Sequence, residues 1–64
     1  MRLIIERPAR QKEYYFEGSA KDLLEKEGIN QETVLVVKNG ELVGTDETIS
    51  DSDSVKLLSV ISGG

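Results

Sequence analysis

Val34-Leu35-Val36-Val37-Lys38-Asn39-Gly40-Glu41-Leu42-Val43 is the stretch that decides the fold. A β-branched, aliphatic run reaches Asn39-Gly40, a pair that accepts the positive φ values of a tight hairpin turn. Glu41-Leu42-Val43 is the returning strand, and Gly44 ends it. On the N-terminal side, Ser19 stands where its hydroxyl caps the free amides of a helix from Ala20 to about Glu27, and Asp22 adds negative charge to the first turn. Ala20, Leu23, Leu24 and Ile29 form the apolar stripe of that helix, and Gly28 occupies the position of a left-handed C-terminal cap.

Farther out, Arg2-Leu3-Ile4-Ile5 reads as a first strand with Met1, Leu3 and Ile5 on one face. Pro8 interrupts it, so Arg7 to Lys12 is expected to turn and Tyr14-Tyr15-Phe16 to return antiparallel. Beyond the hairpin, Thr45 to Asp53 is turn-rich with Ile49 as its apolar anchor, and Val55 to Val60 reads as the last strand. The order is β-β-α-β-β-β, an α+β fold. One helix covers one face of a mixed sheet of four to five strands, and its crossover permits the first and last strands to pair in parallel. That is a β-grasp arrangement. Residues 1–60 are expected to form the domain and residues 61–64 a flexible tail. The expected core is Leu3, Ile5, Phe16, Leu23, Leu24, Val36, Val43, Ile49, Val55 and Leu57.

A chain of 64 residues supports one thin core. Its 38% hydrophobic and 31% charged residues suit a globular domain better than a disordered one. It contains no His, Cys or Trp, which removes imidazole bases, thiolate nucleophiles, disulfides and zinc's favoured ligands. A net charge of −4 argues against nucleic acid or an anionic membrane as a direct partner, and the composition suits a cytoplasmic protein. The carboxylates Asp46, Glu47, Asp51 and Asp53 cluster, but without the ligand alternation, central Gly and terminal Glu of a calcium loop. They read as solvated turn residues. Tyr14 and Tyr15, being adjacent, cannot both serve as a stacking platform. No catalytic residue, metal site or bound cofactor is expected.

Gly63-Gly64 is the informative feature. Gly is about 7% of residues, so such a pair arises at two given positions with a chance of roughly 0.5%. Without a Cβ, the pair can thread a channel too narrow for side chains, and it leaves a terminal carboxylate sterically open. A carboxylate becomes an acyl donor once ATP converts it to an acyl-adenylate, from which sulfur or an amine displaces AMP. The chain would supply the acyl group and a separate enzyme the catalysis. Alternation supports a docking role as well. With Val34, Val36, Val55 and Leu57 turned inward, Leu35, Val37, Lys56, Leu58 and Val60 face outward, and an uncovered face carrying Leu35, Val37, Leu58 and Val60 would be an apolar patch.

With these residues in view, the chain resembles the ubiquitin-like sulfur carriers and small modifiers of archaea and bacteria along essentially its whole length. The most specific pieces are Glu32 to Val37 with Asn39-Gly40, and Leu57-Leu58-Ser59-Val60-Ile61-Ser62-Gly63-Gly64; Thr48-Ile49-Ser50-Asp51 is similar to the segment before ubiquitin's last strand. The ending is closest to carriers serving tRNA 2-thiouridine formation. Carriers for thiamin and molybdopterin synthesis share the fold and the diglycine.

The resemblance implies that Gly64 is adenylated by an E1-like adenylating enzyme, which consumes ATP, and becomes a thiocarboxylate. Gly63 would line that enzyme's channel. Val37, Leu58 and Val60 match partner-facing positions, so the implied partner surface takes in Leu35, Val37, Leu58 and Val60 and continues through Ile61 and Ser62. The sulfur would pass to an acceptor enzyme such as a tRNA thiolase. The alternative is a protein tag that joins Gly64 to target lysines through an isopeptide bond. Lys12, Lys21, Lys26, Lys38 and Lys56 are open as chain-forming sites.

Overall fold

A computed structural model describes residues 1–6 and 9–60. In chain order the elements are β1 (Arg2–Glu6), β2 (Ala9–Glu13), β3 (Gly18–Ser19), α1 (Ala20–Glu27), a 3-10 turn (Gln31–Thr33), β4 (Val34–Lys38), β5 (Glu41–Val43), β6 (Thr48–Ile49) and β7 (Ser54–Ser59). The main sheet runs β2-β1-β7-β4-β5, and β3 pairs with β6 in a separate two-stranded piece. At its centre β1 and β7 are parallel, with Leu3 opposite Val55 and Ile5 opposite Leu57. All other pairings are antiparallel. This is the β-grasp arrangement expected from the sequence.

α1 forms where the capping residues place it. Ser19 accepts the Asp22 amide at 3.0 Å, and the Asp22 carboxylate reaches back to the Ser19 amide at 3.4 Å, a reciprocal capping box. Gly28 closes the helix at φ 71°, a left-handed conformation that an L side chain resists. Asn39 and Gly40 both take positive φ, as the hairpin requires.

The core lies between the sheet and α1. It comprises Met1, Leu3, Ile5, Phe16, Ala20, Leu23, Leu24, Val36, Ile49, Val55 and Leu57, with Tyr14, Ile29, Val34 and Val43 packed against it. Every expected core residue is in this set, although Val43 is only half-buried.

The second strand corrects the sequence expectation. Tyr14-Tyr15-Phe16 is not a strand; β2 lies earlier, within the stretch expected to turn. β2 is an edge strand, exposed at every residue, so it carries no apolar alternation by which it could be recognised. The aromatic segment follows it, and there Phe16 plugs the core while Tyr15 stays 73% exposed. β3, β6 and the 3-10 turn are further elements that the sequence did not announce. The last strand is Ser54–Ser59, one residue earlier than expected, which leaves Val60 just beyond it.

Candidate functional site

Ile61, Ser62, Gly63 and Gly64, expected to carry the activated end and part of the partner surface, lie outside the described residues. β7 is the middle strand of the main sheet, and past its end the Val60 amide donates to the Thr33 carbonyl at 2.9 Å. Val60, the last described residue, therefore lies at the end of β7 beside the start of β4.

The outer face of the sheet surrounds that point. Residues directly opposite on neighbouring strands share a face, so the pairings place side chains in rows. One row pairs Leu35 with Leu58. The next runs Gln11, Ile4, Lys56, Val37 and Leu42. Leu35 is 42% exposed, Val60 45% and Leu42 62%, so none of them is covered by the described residues. Val37, Leu58 and Ile4 are half-buried in the pleat. The outward set read from alternation is thus brought together on one face. Ile4 and Leu42 extend it, and sequence reading missed both. Each lies outward by simple alternation, but only the register shows which row it joins.

Lys56 is the one cation in that second row. It pairs with Glu6 at 3.9 Å in an exposed setting, a contact worth little to stability. The face is therefore apolar towards β4 and β5 and charged towards β1 and β2, where Arg2 and Glu13 also pair at 3.6 Å.

The acidic turn residues have structural employment. Asp51 accepts the Met1 amine at 2.9 Å and the Phe16 amide at 3.1 Å; the ammonium and then the amide hold its carboxyl below the usual range. Asp53 accepts the Ser50 amide at 2.7 Å and the Asn39 side-chain amide at 2.9 Å, and these lower its pKa in that order. Glu47 pairs with Lys38 at 2.6 Å. Among the described residues no group of His, Cys, Asp or Glu is placed to hold a metal ion, and no helix is long and apolar enough to cross a membrane.

Tyr14 and Tyr15 separate as expected. The Tyr14 hydroxyl donates to Glu27, which also takes Lys12 at 2.8 Å. Burial, then that hydrogen bond, pushes the Tyr14 hydroxyl well above its ordinary pKa. Burial acts to raise Glu27, but the bonds from Lys12 and Tyr14 outweigh it and the carboxyl is lowered. This cluster ties the end of α1 to the segment after β2 and leaves no free nucleophile.

Comparison with known proteins agrees with the fold. Residues 6–64 match the ThiS family. The sulfur carrier protein TtuB of Thermus thermophilus is 36% identical over 66 aligned positions, covering 100% of both chains. The crystal structure of the thiamine biosynthesis protein ThiS from Geobacter metallireducens is similar with a TM-score of 0.64 at 28% identity, again covering 100% of each chain.

Proposed function

This chain belongs to the ThiS family of ubiquitin-like sulfur carriers, and on that premise we propose that the carboxyl group of Gly64 is what carries the sulfur. The supporting observation is that the family match extends through Gly63 and Gly64, while the described chain hands this segment off beside an apolar sheet face. In the first step the Gly64 carboxylate attacks the α-phosphorus of ATP within an E1-like adenylating enzyme, and pyrophosphate leaves. The chain contains no Cys, so sulfur must come from outside. A persulfide attacks the acyl-adenylate carbon and AMP leaves; thiol reduction of the acyl disulfide then frees the thiocarboxylate. Leu35, Val37, Leu42, Leu58 and Val60 provide the docking surface for the activating enzyme, continued by Ile61 and Ser62. Gly63 enters its channel, where a side chain would obstruct passage.

The acceptor we propose is a tRNA thiolase making 2-thiouridine, because the ending Leu57 to Gly64 resembles carriers of that class. The likeness to a thiamine biosynthesis protein supports thiazole formation as a second destination. Transfer of the same acyl group to lysine would make the chain a protein modifier. Intact mass of protein isolated from native cells distinguishes these chemistries. The expected species carries sulfur in place of one terminal oxygen; branched Gly-Gly-lysine peptides without it favour conjugation.

Pyrophosphate exchange with the adenylating enzyme tests the first step. Deleting Gly64 moves the carboxylate by up to about 3.6 Å along an extended chain. A misplacement of about 1 Å can slow such a reaction about 100-fold. The deletion is expected to abolish exchange and Gly64→Ala to reduce it sharply, with the fold intact. Full exchange by the deletion variant would falsify the activated terminus.

A further inference from the structure

The edge of the sheet formed by β2 is open, and its backbone and side chains select a partner. Met1 and Tyr14 exchange both main-chain hydrogen bonds, from the Tyr14 amide at 3.2 Å and from the Met1 amine at 2.9 Å. Bonded and non-bonded pairs alternate along an antiparallel ladder, so Lys12 and Arg10 also bond inward to β1. The N–H and C=O groups of Gln11 and Glu13 consequently point away from the sheet. β2 is exposed along its length and, among the described residues, has no neighbour on that side. Unpaired edges of this kind accept an added strand.

The side chains decide which strand. Arg10 lies opposite Ile5 and Lys12 opposite Leu3, so both project on the helix-facing side of the sheet. Lys26 is close to the same region, its ammonium 5.3 Å from the centre of the Tyr14 ring. On that side Glu27 is the carboxylate bonded to Lys12 and Tyr14, while Glu13 of β2 faces the opposite side with Arg2. Arg10 has no carboxylate within salt-bridge distance among the described residues. In a chain of net charge −4, the helix-facing side of this edge presents the cations Arg10 and Lys12.

A second copy of the chain does not fit there. Antiparallel pairing of β2 with another β2 must match outward-bonding residues with each other, which sets Arg10 or Lys12 against Arg10 or Lys12 in every register that pairs three or more residues of the strand. Like charges directly opposite are destabilising. A strand bearing carboxylates at alternate positions removes that conflict: its acidic residues face Arg10 and Lys12 in the closer, non-bonded pairs. The β5 edge offers no equivalent, having only three residues, Glu41-Leu42-Val43, and no cation. We infer that β2 is a docking edge for an extended acidic segment of a partner protein, added antiparallel to Ala9–Glu13 with carboxylates against Arg10 and Lys12. This surface is separate from the face proposed to meet the activating enzyme.

The test is titration of isotope-labelled, full-length protein with a blocked peptide of about seven residues, matching strand length, that alternates Val with Glu. The control peptide alternates Val with Lys. The Val-Glu peptide is expected to shift amide resonances at residues 9–14 and to slow hydrogen exchange at Gln11 and Glu13; the control should do neither. Gln11→Pro removes an outward donor without touching the bonds to β1, a placement that an edge strand tolerates. Arg10→Glu reverses the charge and breaks no ion pair among the described residues. Each is expected to weaken binding about tenfold, the scale of one or two hydrogen bonds or a charged contact. If Gln11→Pro disturbs folding, Arg10→Glu decides. The inference is overturned by absence of shifts at millimolar peptide, by equal response to both peptides, or by unchanged binding of Arg10→Glu. Concentration-dependent dimerisation through β2, or a tighter response to a thymidine oligonucleotide, overturns it as well.

Discussion

Leu57 is 1% exposed and sits opposite Ile5 on one side and Val36 on the other, inside the sheet and under α1. Leu58, the next residue, faces outward against Leu35. These two leucines are indistinguishable by composition, and only the two-residue period assigns one to the core and one to the surface. Leu57→Ala is expected to lower stability by about 2–5 kcal/mol, because the cavity adds to the lost transfer energy. In a domain this small that is a large share of the total, so many molecules would be unfolded at 37 °C. Thermal melting checks it; an unchanged midpoint would mean the two faces of β7 had been exchanged.

At the scale of elements, α1 depends on its first turn. Ser19→Ala removes the acceptor for the Asp22 amide, and the expected loss is about 1 kcal/mol by chemical denaturation. The outer face of β4 and β7 depends on what docks there. Val37→Asp or Leu58→Asp places a charge that water can reach in the free protein, at small cost to folding. In an apolar interface the same charge is poorly solvated and unpaired. Both variants should remain folded, by circular dichroism, and lose affinity for the adenylating enzyme. Unchanged affinity in both would remove this face from the interface. β2 shows the limit of reading elements from pattern: Ala9-Arg10-Gln11-Lys12-Glu13 has no hydrophobic period, since an exposed edge strand is held by its backbone bonds to β1.

For the whole molecule, the carboxylates of the turn-rich segment tie distant parts of the chain together. Asp51 joins the Met1 end, the Phe16 segment and the turn before β7; Asp53 joins that turn to the Asn39 hairpin. Both have folded-state pKa values below their ordinary ones. Their stabilising contribution is therefore present above the unfolded value, near pH 4, and is lost as pH falls through the folded values. The thermal midpoint should drop as the solution is acidified below about pH 4. Asp51→Asn should start lower at neutral pH and show a shallower decline. An equally steep acid decline in that variant would place the responsible groups elsewhere.

The sequence by itself determined what depends on near neighbours and on period. The α1 cap at Ser19, the left-handed stop at Gly28 and the Asn39-Gly40 turn are local conformational preferences, and inward Val36 and Leu57 follow from alternation along a half-buried strand. The role proposed for Gly63 and Gly64 also rests on the sequence, because residues without a Cβ can enter a channel too narrow for side chains. Tertiary structure alone decided the rest. β2 became a strand because β1 offered it a ladder, and Leu42 joined the outer apolar row because Lys38 pairs with Glu41 across the turn, which sets Val37 opposite Leu42. Asp51 and Asp53 became structural anchors because folding brings the Met1 amine, the Phe16 amide and Asn39 to them from far along the chain. Those contacts join residues widely separated in sequence, and no local preference encodes them.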